Sequence, residues 1–81
     1  MKQVYAQNGY EVYETKICGY PCTVHKTVSS GCAVHVPMGD TTEDKAMFDD
    51  LVYNKHAYFG KTPREAVERV SDFIKSYKHK V

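Results

Sequence analysis

A strongly marked helix start lies near the C-terminal end of the chain, at Thr62-Pro63-Arg64-Glu65. Thr62 and Glu65 have the spacing of a capping box, and Pro63 stands at the first helical position, where its missing N–H costs nothing. The apolar residues that follow at three- and four-residue intervals are Ala66, Val67, Val70, Phe73, Ile74 and Tyr77. This pattern predicts an amphipathic helix from about Pro63, with one face that must pack on another layer.

Two hairpin signals precede this helix. Asn8-Gly9 is the dipeptide that best accepts positive φ at both central positions of a type I′ turn, so residues 4–7 and 10–17 are its predicted arms. Ser29-Ser30-Gly31 predicts a second hairpin, between residues 22–28 and 32–38, with glycine at the left-handed position of the loop. Between the two hairpins, the Gly and Pro of residues 18–21 predict a break in the chain.

The predicted register of the second hairpin pairs Val24 with Val36 and places nearly every apolar residue of both strands on one face. The opposite face then carries His25 and His35 directly across from each other. The other residues of that face are Thr23, Thr27 and Ala33.

Two further elements are predicted between the second hairpin and the C-terminal helix. Residues 40–50 are acidic, and Thr41 or Thr42 is placed to cap a short helix near residues 42–51. Residues 52–59 alternate weakly and are rich in Tyr and Phe, which predicts a strand leading to Gly60. The 81 residues have room for a single core. The predicted fold is therefore one α+β domain, residues 1–81, in which the C-terminal helix covers one face of a small antiparallel sheet of two hairpins plus a further strand.

Charge and composition exclude several classes of partner. Lys and Arg number 11 against 10 Asp and Glu, so no overall field draws the chain to nucleic acid or to an anionic membrane. The first residues contain no apolar stretch of the kind found in signal peptides. Three cysteines are an odd number, which argues against a disulfide framework and agrees with a reducing compartment. We expect a cytoplasmic protein with no membrane partner.

The chain contains a group of candidate zinc ligands within a short stretch: Cys18, Cys22, His25, Cys32 and His35. Their spacing fits no standard zinc finger. The predicted register also directs Cys22 and Cys32 toward the helix and the two histidines away from it, so one ion does not reach both sets. No nucleophile with a base and an orienting group is recognisable, nor is a phosphate loop. We therefore expect no metal, no cofactor and no catalytic residue.

Two sets of residues are the candidates for binding a partner. Half of the ten carboxylate residues lie within eleven positions: Asp40, Glu43, Asp44, Asp49 and Asp50. Such a segment would steer a protein partner with a basic surface. The second set is His25 and His35 on the sheet face away from the helix. The ordinary alternatives are an acid-rich helix start and a solvated sheet face.

The order of elements from Thr23 to Ile74 resembles the HicB-type antitoxin domain. Val24-His25-Lys26, together with Gly31 through Val36-Pro37, resembles the first hairpin of that family. Gly60-Lys61-Thr62-Pro63-Arg64-Glu65-Ala66 resembles the signature that opens its helix. An acidic insertion and an additional strand pair distinguish this chain, and it lacks the DNA-binding segment that family members usually carry. The resemblance implies inhibition by binding.

These observations favour a small non-enzymatic interaction protein that binds and blocks a macromolecular partner, as an antitoxin-like or phage-type inhibitor does. Two alternatives stay open. One is a small nucleic-acid-binding module that uses the tyrosines and the basic C-terminal residues, and the other is a small-ligand-binding oligomer. A homodimer also remains open.

Overall fold

The computed structural model describes residues 1–37 and 41–79. Five strands form one antiparallel sheet in chain order, and the helices follow the first four strands. The strands are β1 (Lys2–Gln7), β2 (Tyr10–Ile17), β3 (Tyr20–Thr27), β4 (Gly31–His35) and β5 (Phe59–Gly60). The helices are α1 (Thr42–Val52), α2 (Lys55–Tyr58) and α3 (Pro63–His79). The predicted α+β class, with a C-terminal helix packed on an antiparallel sheet, is confirmed.

Two nearly identical tight turns build the first three strands. Asn8 and Gly9 have φ of 54° and 79°, which confirms the predicted type I′ turn between β1 and β2. Cys18 and Gly19 have φ of 53° and 87° and join β2 to β3 in the same way. The sequence predicted a break here, but the chain makes a second hairpin. Pro21 is tolerated within β3 because it lies beyond the ladder to β4, which ends at Thr23.

The register between β3 and β4 differs from the predicted one by two residues. Val24 lies opposite Val34 rather than Val36, and His25 lies opposite Ala33, so the two histidines are not cross-strand partners. A shift of two residues keeps every side chain on its predicted face.

The physical reason for the shift is the position of Gly31, which begins β4 opposite Thr27 rather than ending the loop. The loop is residues 28–30, where Thr27 Oγ1 accepts a hydrogen bond from the backbone N–H of Ser30 at 3.1 Å. Gly31 has φ of 91°, and a Cβ at this position would lie 2.9 Å from the carbonyl oxygen of Gly60. The chain therefore needs glycine within the strand, where β5 approaches closely.

The predicted strand over residues 52–59 is wrong. Helix α1 continues to Val52, α2 occupies Lys55–Tyr58, and β5 contains only Phe59 and Gly60. Asn54 donates to the Leu51 carbonyl oxygen at 3.0 Å and accepts from the N–H of Ala57 at 2.9 Å. These two hydrogen bonds turn the chain twice within a few residues. The weak alternation of apolar and polar residues in this segment therefore does not produce a strand.

Both predicted helix caps are present. Thr62 Oγ1 accepts from the N–H of Glu65 at 3.1 Å at the start of α3. Thr41, the first of the two predicted candidates, accepts from the N–H of Asp44 at 3.0 Å and caps α1. Among the described residues, no helix is both long and apolar enough to cross a bilayer.

The hydrophobic core lies between one sheet face and the helices α1 and α3. Helix α3 contributes Ala66, Val70 and Ile74, all fully buried, as its periodicity predicts. The other buried residues of the core are Ile17, Cys22, Val24, Cys32, Val34, Met47, Phe48 and Leu51. Every strand residue in this core points to the same side of the sheet, so the other side contributes none.

A matched pair of glycine substitutions tests the observed register. Gly19→Ala meets no neighbouring atom and incurs only the cost of a positive φ, about 1 kcal/mol. Gly31→Ala incurs the same cost and also forces a Cβ against the Gly60 carbonyl oxygen, so we expect a loss of about 2 to 3 kcal/mol in the free energy of unfolding. Urea-unfolding midpoints and slopes measure both losses. Equal losses would place Gly31 in an open loop, as the sequence-based register has it.

Candidate functional site

The sheet face away from α1 and α3 carries a group of aromatic and apolar side chains. Cross-strand pairing places them on one side of the sheet, and none of the buried core residues lies there. We call this surface the open face, and its residues are Tyr5, Tyr10, Val12, His25, Ala33 and Phe59. Tyr5 and Tyr10 keep 48% and 38% of their surface exposed. Apolar area of this kind, without a covering layer, is typical of interaction sites.

Contacts within the open face hold its aromatic rings in place. The Tyr5 and Tyr10 rings pack edge to face with centroids 5.8 Å apart, and Tyr10 and His25 do the same at 5.9 Å. The Tyr10 hydroxyl lies 2.5 Å from Nδ1 of His25, and Thr23 Oγ1 lies 3.2 Å from its Nε2. Both ring nitrogens of His25 therefore have partners, which orients the imidazole as part of a surface.

Formal charges on this side of the sheet lie at its margins, where Lys55 Nζ is 5.3 Å from the centroid of the Phe59 ring. Lys2 pairs with Glu14 across β1 and β2, and Lys16 lies opposite Pro21. The residues of the open face itself carry no formal charge when His25 is neutral. The face is thus an aromatic surface with polar tips rather than a cationic one.

The opposite side of the β1–β2 hairpin is polar. Glu11 accepts hydrogen bonds from the Tyr13 hydroxyl and from Gln3 Nε2, and its carboxylate lies 3.8 Å from Lys26 Nζ. The Tyr13 hydrogen bond, with help from Lys26, lowers the pKa of Glu11. This network borders the hydrophobic core, because Tyr13 packs against it. It makes the two faces of the hairpin chemically different.

The acidic residues of α1 do not lie on the open face, because α1 packs on the other side of the sheet. Asp44 accepts a hydrogen bond from the Tyr20 hydroxyl at 2.7 Å and so connects α1 to β3. Glu43, Asp49 and Asp50 are exposed. Asp40, the first of the predicted acidic residues, lies outside the described residues.

One groove brings together two of the predicted site residues, His35 and Asp49. It lies where β4 meets α1 and α2, and its volume is about 370 Å³. We call it the β4 groove, and it is lined by Val34, His35, Val36, Phe48, Asp49, Leu51, Val52 and Tyr58. His25, on the open face, and Glu43, on α1, do not line it. His35 lies opposite Thr23 and so is on the same side of the sheet as His25, but it is at the edge of that side, where it lines the β4 groove with Asp49.

Tyr5 and Tyr10 were not predicted as individual site residues, although the sequence carries a signal for them. Side chains alternate between the two sides of each strand, and the strands β1, β2 and β3 are joined by two-residue turns. Following this alternation from β3 back to β1 places both tyrosines on the side of His25. This assignment requires Cys18-Gly19 to be recognised as a turn rather than as a break. Cysteine with positive φ is uncommon, which is why the signal is weak.

The three cysteines are free and differ in their surroundings. Burial raises the pKa of Cys22 to about 11 and also raises the pKa of Cys32, so both thiols stay protonated near neutral pH. Cys18 is exposed, with its Sγ 3.8 Å from Ser71 Oγ. Within residues 1–37 and 41–79, no group of three or more Cys, His, Asp or Glu side chains is arranged to hold a metal ion.

No protein-family model, curated protein or solved structure matches the chain significantly. The resemblance to the HicB-type domain therefore stays a prediction from the sequence. The open face and the β4 groove are the two surfaces that bear on function.

Thiol reactivity tests the placement of the cysteines. In the folded protein at pH 8, a chromogenic disulfide reagent should label one thiol per chain quickly, and denaturant should expose all three. Cys18→Ser should remove the fast thiol and leave the two slow ones. Cys22 should stay mostly protonated and slow to react even at pH 9, because its pKa of about 11 lies well above that value. A second fast thiol in the native protein would contradict the burial of Cys22 and Cys32.

Proposed function

We propose that this chain is a non-enzymatic interaction protein that binds a protein partner through the open face and thereby blocks the partner's working surface. The observation that carries the proposal is the open face itself, an aromatic side of the sheet with no buried core residue on it. An antitoxin-like or phage-type inhibitor acts in this way.

The side chains of the open face suit a protein interface. Tyrosine combines a large apolar ring with a hydroxyl group, and aromatic residues are enriched at the centres of interfaces. Tyr10 is already held between Tyr5 and His25, so binding would immobilise few additional rotamers. Val12 and Ala33 lie beside His25 on the neighbouring strands and supply flat apolar surface between the rings.

The charge distribution favours a protein partner over a nucleic acid. Proteins that stack bases on a sheet also neutralise phosphates with Lys or Arg beside the aromatic rings. On this side of the sheet, the cross-strand partners of Tyr5, Tyr10 and His25 are uncharged, and Lys2 and Lys16 lie toward the other end of the strands. The exposed carboxylates of α1 lie on the other side of the sheet and do not contact a partner bound to the open face.

Affinity capture with matched variants tests the proposal. The tagged chain is used to capture a partner from extracts of the cells that produce it, beside the double variant Tyr5→Ser with Tyr10→Ser. Tyr53→Ser is the control. Tyr53 is 90% exposed and lies at the C-terminal end of α1, away from the open face. Truncating two interface tyrosines should weaken the affinity for the captured partner by about tenfold or more, and the control should not.

Two further readouts distinguish the alternatives. The captured partner should lose its own activity when mixed with one equivalent of the chain and keep it with the double variant. Equal capture by all variants would contradict binding through the open face. Capture that disappears with nuclease, or an affinity that falls steeply with salt, would support the nucleic-acid-binding alternative instead.

A further inference from the structure

The edge of β4 is only partly used by the sheet. Strand β5 pairs with Cys32 and Ala33, and among the described residues no strand continues this pairing to Val34 and His35. A longer β5 would pair Tyr58 with Val34, but Tyr58 belongs to helix α2. The second half of β4 is therefore a sheet edge that no described strand pairs, with helix α2 packed beside it and Val34 only 6% exposed.

Alternation of the hydrogen-bonded pairs determines which backbone groups face this edge. Ile17 and Tyr20 close a two-residue hairpin and so form a hydrogen-bonded pair. Counting along β3 from that pair directs the backbone of His25 toward β4, where it bonds Ala33. On β4, the N–H and C=O of Val34 then point away from β3, toward this edge and the β4 groove.

Helices α1 and α2 form the walls of this edge and make it an apolar slot. Phe48, Leu51 and Val52 of α1 and Tyr58 of α2 line the β4 groove beside Val34. Val52 is 67% exposed, so apolar surface is available to a ligand there. Exposed edges with unpaired N–H and C=O groups are the usual templates for strand addition.

Charge indicates which segment fits the slot. Asp49 is the carboxylate among the residues that line the groove, and Asp50 follows it on α1. The other ionisable side chains that line the groove are the Tyr58 phenol and the His35 imidazole, and an imidazole side chain carries no negative charge. A segment that places a Lys or Arg beside Asp49 would therefore be favoured over an acidic one.

We infer that the β4 groove binds an extended, basic segment of a protein partner as an added strand beside β4. Backbone hydrogen bonds to Val34 hold the segment, alternate apolar side chains contact Val52 and Tyr58, and a Lys or Arg side chain pairs with Asp49. The β4 groove shares no residue with the set that defines the open face, so the inference does not depend on the proposed function.

A displayed library of random peptides tests the inference, because it does not require a known partner. Selection on the folded chain should enrich sequences with apolar residues at alternate positions and a Lys or Arg. Val52→Lys should abolish the enrichment, whereas its neighbour Tyr53→Lys, which does not line the groove, should preserve it. Asp49→Lys should change the selected charge from basic to acidic. Tyr10→Ser, on the open face, should leave peptide binding unchanged.

Amide hydrogen exchange measured by NMR supplies a second readout on one selected peptide. The Val34 N–H should exchange quickly in the free protein and at least about tenfold more slowly with the peptide bound, because it gains a backbone acceptor. Three results would overturn the inference. They are no enrichment from the library, enrichment that survives Val52→Lys, and a Val34 amide that the peptide leaves unprotected.

Discussion

The close approach of α3 to the sheet at Gly60 is the contact on which the rest of the structure depends. A Cβ on Gly60 would lie 2.7 Å from the backbone nitrogen of Ala66, so the strand and the first helical turn touch directly. Thr62 caps the helix within two residues of the strand and directs it back across the sheet. The fully buried Ala66 and Val70 then cover one sheet face. Because α1 packs on the same side, the opposite face receives no layer.

Local devices made most of this architecture predictable from the sequence. The Thr62 cap, the Asn8-Gly9 turn and the periodicity of α3 each act over a few residues, so single-sequence reasoning located them. Alternation also assigned Cys22 and His25 to opposite faces, and this assignment survived the error in register because the error was an even number of residues. The register itself depends on the approach of β5 to Gly31, a contact between residues distant in sequence.

The two candidate surfaces were predictable only in part, for the same reason. His25 was expected on an uncovered face, but its packing against Tyr10 depends on how two hairpins combine. Asp49 and His35 were both candidates, yet their meeting in one groove depends on the end of α1 and on the helical state of α2. Asp44 was grouped with the candidate partner-binding acids, but its hydrogen bond to Tyr20 joins α1 to the sheet. Tertiary packing decides each of these points.

Coverage of one sheet face and exposure of the other is the central claim, and methyl relaxation by a soluble nitroxide tests it most directly. Val12 and Ala33 lie on the open face, whereas Val24 and Val34 lie beneath the helices on the same or neighbouring strands. In the free protein, the nitroxide should broaden the methyl signals of Val12 and Ala33 strongly and those of Val24 and Val34 little. Equal protection of all four residues would mean that another layer, such as a second copy of the chain, covers the open face, and it would contradict the account.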